Sequence, residues 1–477
     1  MVEINKPAKI LLFCFILILL LNIFIQRDIW FDESYSILYA EQPLSEFSNP
    51  VDVHPPAYYI VLNGWISVFG DSNQAIRSLS AIFAIGCFIL LYFIWKKLFD
   101  EKSFTIFGIL FILSTSIIYY ATEVRMYIFG LFFCLLSFYS LLMFEKKGFK
   151  VLFILSTAIL PYIHYFTAFF VMFELSYCFI MKKKETIKYW LVSFILMIPV
   201  LFYFFAQLVR IDTLGFQPTY FQSVLSTYYY AWFYSWGGTV STINTILGLA
   251  FIIIAFFLII IYISKAETKN EKKLSLLMLI WFILPTVLFM IINYFVMSLY
   301  HHRFFFFVSW FFILLTARAI YVLRDKKWVK IMFVLILAFA VLNFIQFHTQ
   351  TDRSIRDVSG YFNEKNCSRT NVIVHESQFS NLPHIYYNEL HGCYKNYLYT
   401  DLTHEQLNGI GANVVSEERI LFNSSDFEVL GEVFYYIGIG EKLFDFEGYN
   451  VTPVFNKAGA EVMLVTKPIA KIVIVLG

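Results

Sequence analysis

Apolar runs long enough to cross a bilayer recur along most of this chain, and they limit its fold more than any other feature. Stretches of ~20 residues, the length needed to cross the hydrocarbon core, occur at roughly 10–26, 77–95, 104–121, 127–144, 189–207, 244–264, 275–298, 304–323 and 329–347. Residues 151–181 form a longer run, interrupted near Pro161 and His164. With 59% hydrophobic residues, 15% charged residues and a mean hydropathy of +0.68, the chain has more apolar surface than one soluble core can bury. The sequence is that of an integral, multi-pass membrane protein.

Charge then orients the runs. Lys146, Lys147 and Lys150 precede the long run, and Lys182, Lys183, Lys184 and Lys188 follow it, so both its ends face the cytoplasm and it folds back as two short spans. Eleven transmembrane helices result. Lys6 and Lys9, Lys96/Lys97/Lys102, Lys265/Lys269/Lys272/Lys273 and Arg324/Lys326/Lys327/Lys330 all fall at turns of cytoplasmic parity. This predicts a cytoplasmic N-terminus and an extracytoplasmic C-terminal domain. The first run has a basic start but no small-residue cleavage site before the charged segment after it, and reads as a signal anchor. A formal charge of +2 gives no polybasic excess, which excludes nucleic acid as a partner. Among the cysteines there is no CxxC motif; only Cys367 and Cys393 lie in polar sequence where a disulfide is conceivable.

The predicted division is a membrane-embedded domain at 1–347, with a first external loop at 27–76, and an extracytoplasmic domain at 348–477. In the latter, β-rich runs at 371–375 and 460–466 alternate with helical patterns at 379–390 and 403–409, which predicts a small α/β domain.

Ionisable groups next to spans are costly, so their location is informative. Lysines dominate the cytoplasmic turns, while the external side carries a short mixed set. RDIWFDESYS (27–36) follows the first span and brings Asp32 and Glu33 to the membrane–water boundary, where partial desolvation can raise a carboxylate into the range of a general base. DVHPPAYY (52–59) braces Asp52, His54 and Tyr58 with two prolines, which also suit a helix start. Arg77, Glu123, Arg125 and Tyr127 stand at the outer starts of spans. Arginines there run against the positive-inside bias and suit an anion, although a Glu123–Arg125 salt bridge is the simpler alternative. YHHRF (300–304) makes an external turn in which His301, His302 and Arg303 suit phosphate oxygens. Asp32, Glu123 and His301 together also offer oxygen and nitrogen donors to a divalent metal cation, the one cofactor these residues suggest.

In their order and shared sidedness these motifs resemble the GT-C superfamily of polyprenyl-phosphate-sugar-dependent glycosyltransferases. The match is to the branch holding protein O-mannosyltransferases and the lipid A aminoarabinose transferase. It rests on Asp32-Glu33 after the first span, a D-x-HPP-x-x-Y segment (52–59), R-S-x-S-A (77–81), E-x-R-x-Y (123–127) and the late H-R-F turn. The resemblance implies an inverting transfer of a single sugar from a polyprenyl-phosphate donor to an acceptor hydroxyl on the extracytoplasmic face. By the match Asp32 is the catalytic carboxylate with Glu33 beside it, and Arg77, Arg125 and Arg303 hold the donor phosphate. Asp52, His54, Tyr58, Glu123, Tyr127 and His302 are left as substrate-binding groups. The acceptor, whether lipid, glycan or protein, is open; His54 where the aminoarabinose branch has lysine brings the pattern closer to the mannosyltransferases. The alternative is a lipid or glycan transporter with the same charges lining its path, but a transporter places charges at mid-membrane on broken helices.

Overall fold

The computed structural model describes residues 4–24, 28–48, 54–211, 233, 242–266, 268–295, 302–349, 354–364, 372–375, 383–384, 386–387, 395–399, 420–421, 433–439, 450–457 and 460–466. Two compact units result: residues 1–25 with 43–350, and residues 26–42 with 351–477. Much of the first external loop thus stays with the membrane helices, whereas its opening stretch, Asp32 and Glu33 included, groups with the C-terminal part.

In chain order the helices are α1 (Lys6–Phe24), α2 (Phe31–Ala40, in the second unit), α3 (Ala57–Phe69), α4 (Asn73–Leu98), α5 (Phe104–Ile112), α6 (Thr115–Thr122), α7 (Tyr127–Leu142), α8 (Phe149–Ala158) and α9 (Leu160–Ile163). They continue with α10 (Ala168–Ile180), α11 (Ile187–Ile211), α12 (Thr242–Lys265), α13 (Lys269–Phe295), α14 (Phe306–Val322), α15 (Lys327–Thr349) and α16 (Ser354–Glu364). Every predicted span has a helical counterpart. Among the described residues seven helices are long and apolar enough to cross a membrane, or eight where the bent pair α5–α6 counts as one span. Shorter apolar helices at 127–142, 149–163 and 165–180 account for the other three.

Two features differ from the periodicity alone. The run at 104–121 is broken, α5 and α6 meeting at 67°. Ser114 is the cause that can be named: its Oγ accepts from the Ile117 N–H at 3.5 Å and starts a new helix, as an N-cap serine does. The second is α3, a shorter apolar helix inside the first loop, which follows Pro55 and Pro56. Pro56 stands at its N-cap, so the two prolines do begin a helix, with His54 just outside it.

Aromatic side chains fill much of the membrane core. Phe15 of α1, Phe88 of α4 and Phe111 of α5 interlock with ring centroids 5.6–5.9 Å apart. Helix α14 is buried along almost its whole length, and Gly130 of α7 lets it approach: a Cβ there would fall 2.6 Å from the Phe307 ring. One carboxyl lies inside this apolar layer, and hydroxyls receive it. Ser137 Oγ of α7 donates to Glu174 Oε2 of α10 at 3.0 Å and lies 2.7 Å from Thr157 Oγ1 of α8, tying three helices together.

The second unit carries a six-stranded sheet in the order β3-β2-β1-β4-β6-β5. Its strands are β1 (Val372–His375), β2 (Lys395–Tyr399), β3 (Ile420–Leu421), β4 (Val433–Ile439), β5 (Asn450–Lys457) and β6 (Ala460–Thr466). The first four pair in parallel, and β6 runs antiparallel to both β4 and β5. On α16, Val358 and Phe362 stand one turn apart and pack on Ile373, Ile437 and Val462. The α/β domain expected from sequence is present, with β1 and β6 on the two runs that predicted it. The pattern at 403–409 lies outside the described residues, as do Cys367 and Cys393.

Next to this core His375 and His384 are both buried, with ring centroids 5.0 Å apart, and His384 Nδ1 lies 2.9 Å from Ser359 Oγ. Burial first, and then His375, push the His384 imidazole well below 6.5. The unfolded chain therefore takes up a proton there that the folded unit refuses. Stability should be level above about pH 6.5 and fall as the pH drops below it. Limited proteolysis of the full chain should cut the C-terminal unit faster below that pH, and His384→Phe should blunt the acid response. An undiminished response in the variant would exclude His384 as its source.

Candidate active site

The acidic pair sits in the first turn of α2. Asp32 is half-buried, and its carbonyl accepts from Ser36 Oγ at 2.8 Å; Glu33 is fully buried. The Glu33 carboxylate turns back on its own helix, where Oε2 accepts from the Trp30 N–H at a long 3.4 Å. A Glu three residues after the N-cap is the residue that closes a capping arrangement in this way. Two neighbouring carboxylates thus differ: one caps the helix, and the other is more open. The approach to α2 is held from within the same unit, since the Ile29 N–H donates to the Tyr387 hydroxyl at 2.9 Å. The helix N-terminus also favours negative charge in that turn.

In the membrane unit, R-S-x-S and E-x-R-x-Y form one structure. Arg77 and Ser80 are three apart on α4 and share a face. An Arg77 terminal nitrogen donates to the Thr122 carbonyl at 2.8 Å, and Ser80 Oγ donates to the Glu123 carbonyl at 2.6 Å. Both carbonyls lie where α6 ends, so the first motif clamps the turn that carries the second. Arg77 is 1% exposed, and its Nε is further engaged by Asn73 Oδ1. Held this way, Glu123 is fully buried and its Oε1 accepts from the Tyr119 hydroxyl at 2.8 Å. Arg125, also buried, reaches the Tyr59 hydroxyl at 3.4 Å.

The remaining residues come from several segments of the membrane unit. The His54 carbonyl accepts from Gln207 Nε2 of α11 at 3.3 Å, and Gln207 in turn accepts from the Tyr165 hydroxyl. The His54 ring packs edge-on against His164, with centroids 5.4 Å apart. Tyr127 lies 5.6 Å from the His164 ring. Arg303 is half-buried in a 3-10 turn, Leu-free and short, whose next residue, Phe304, stacks on Phe166 at 4.0 Å. Tyr58 is buried against Tyr59 and Phe129, and of these two tyrosines it is Tyr59 whose hydroxyl meets Arg125. Asp52 and His301 lie outside the described residues, as does the His302 side chain. Among the described residues no group of three or more His, Cys, Asp or Glu is placed to hold a metal ion.

Sequence reasoning passed over His164, Gln207 and Tyr165; Tyr59 closes the D-x-HPP-x-x-Y segment, but the candidate named from it is its neighbour Tyr58. His164 did leave a signal, a polar residue breaking an apolar run beside Pro161, but that break was read only as the bend of a hairpin.

The profile of the EpsG family matches residues 9–361. The chain belongs to the EpsG family. No curated protein matches it. Among solved structures it is similar to ArnT from Cupriavidus metallidurans. The apo state aligns with a TM-score of 0.59, at 12% identity over 96% of this chain and 98% of that one. ArnT bound to undecaprenyl phosphate aligns with a TM-score of 0.58, with the same identity and coverage. At that identity the likeness is one of fold, and it bears out the GT-C architecture expected from the motifs. This EpsG-family chain is a polytopic membrane protein of glycosyltransferase-like fold.

Proposed function

We propose that the protein transfers a single sugar from a polyprenyl-phosphate donor to an acceptor hydroxyl on the extracytoplasmic face, with inversion at the anomeric carbon. The observation that carries this reading is the buried Arg125, fixed on the clamped turn beside Tyr59, in a fold shared with a protein crystallised with undecaprenyl phosphate. Asp32 accepts the proton of the acceptor hydroxyl as its oxygen bonds to the anomeric carbon. The bond from that carbon to the phosphate oxygen breaks, and polyprenyl phosphate leaves. Arg125 and Arg303 stabilise the charge that gathers on the leaving phosphate, the electrostatic contribution that usually dominates such steps. Glu33 holds the turn that carries Asp32, and Arg77 holds the turn that carries Arg125. Asp52, His54, Glu123, Tyr127 and His302 remain candidates for contacts with the sugar and the acceptor.

The deciding experiment gives a membrane fraction a panel of labelled polyprenyl-phosphate sugars and follows which is consumed and which product gains label. One added sugar per product supports the reading, a ladder of products makes the enzyme a polymerase, and label moving across the membrane without a new bond makes it a transporter.

The reading also fixes sidedness. A reporter fused after residue 347 should be active only outside the cytoplasm and one inserted near Lys269 only inside, because of the lysine asymmetry. A cytoplasmic signal from the first fusion would place the C-terminal unit on the wrong side for the proposed chemistry.

A further inference from the structure

His164 occupies the break between α9 and the 3-10 turn Tyr165–Thr167, outside both helical segments, and is 2% exposed. Its ring lies between those of His54, Tyr127, Phe304 and Phe307, at centroid distances of 5.2–5.8 Å. Nδ1 sits 3.2 Å from the backbone nitrogen of Phe166. A backbone N–H can only donate, so Nδ1 is the acceptor and carries no proton. The ring's single proton is then on Nε2. Burial first, and then the nearby His54 and Arg125, push the imidazole well below 6.5, so it does not gain a second proton at neutral pH. Nε2 thus carries a fixed N–H donor, and among the described residues that N–H, buried, meets no acceptor. A buried donor left unsatisfied costs about 1–3 kcal/mol, and a native site keeps one where a ligand supplies the missing atom.

The surroundings select the ligand. Arg125, which acts on the His164 ring, is positive, His54 packs on the same ring, and the walls are aromatic, so an anionic oxygen is favoured over a hydroxyl or a cation. We infer that His164 is a binding residue for the donor phosphate, donating Nε2–H to a non-bridging phosphate oxygen next to Arg125. The inference rests on the proposed polyprenyl-phosphate donor. It adds to the arginines a neutral donor that is fixed in tautomer by the backbone and gives direction rather than charge.

Undecaprenyl phosphate is the probe. Its affinity for purified full-length protein is read from tryptophan fluorescence on the monodisperse fraction, for wild type, His164→Phe, His164→Met and His164→Gln. Phenylalanine keeps the ring packing and methionine the bulk, but neither has an N–H; glutamine returns an N–H at similar reach. Both donor-free variants should bind roughly tenfold or more weakly, as expected for a lost hydrogen bond to a charged group. His164→Gln should stay within about threefold of wild type, a rescue that a purely packing role does not produce. Wild-type affinity in whichever donor-free variant folds overturns the inference, as does equal weakening in all three. Wild-type protein with no affinity for undecaprenyl phosphate fails earlier, and it is then the donor assignment itself that falls.

Discussion

Asp32→Asn should nearly abolish sugar transfer while leaving expression, membrane insertion and undecaprenyl-phosphate binding close to wild type. Asparagine has almost the same shape as aspartate and still accepts hydrogen bonds, so α2 should form as before. The bond from the Ser36 hydroxyl to the Asp32 carbonyl is untouched. What disappears is the ability to take a proton, and loss of a positioned base typically lowers a rate by ~10²–10⁴. Glu33→Gln supplies the contrast. Its amide oxygen can still accept from the Trp30 N–H, so the cost should be a weakened helix start of about 1 kcal/mol and a modest loss of rate. Activity of Asp32→Asn within about threefold of wild type would sink the mechanism. Equal losses at both positions would point to a shared carboxylate pair or to a metal held between them.

The spans were legible because hydrocarbon imposes a length and a composition that the sequence cannot hide. Residues 151–181 show this well: the lysines on both sides required two short spans, and two shorter apolar helices, 149–163 and 165–180, lie there. The break at Ser114 was not legible, because a lone serine in an apolar run looks like an ordinary small polar residue until the next turn of backbone uses its oxygen. At the candidate site the motifs were visible but the division of labour within them was not. Arg77 and Arg125 look alike as outward-end arginines, and what separates them is the bond from Arg77 to the Thr122 carbonyl 45 residues away, which no local pattern reports. Tyr58 and Tyr59 are adjacent and equally apolar in setting, and only the direction of α3 decides which hydroxyl meets Arg125. The grouping of residues 26–42 with the C-terminal unit was hidden for the same reason, being a long-range contact rather than a local one.

Arg77→Ala provides the sharpest test of that division. As a phosphate ligand, Arg77 would leave the fold intact on removal and weaken use of the donor by about 2 kcal/mol, with thermal stability unchanged. As a clamp, its removal takes the guanidinium's bonds away from the buried Thr122 carbonyl and the partly buried Asn73 amide oxygen, at a cost on the order of 1–3 kcal/mol. The clamp is the expected result: melting temperature and folded yield should drop, and donor use should fall with them because Arg125 is no longer held. Arg77→Lys should not restore stability, since one ammonium cannot present the guanidinium's separate N–H groups to two acceptors in fixed directions. Arg125→Ala should behave the opposite way, with stability little changed and KM for the donor raised. If Arg77→Ala melts like wild type and only its KM rises, Arg77 is a phosphate ligand, and the buried contacts to Thr122 and Asn73 are secondary to that role.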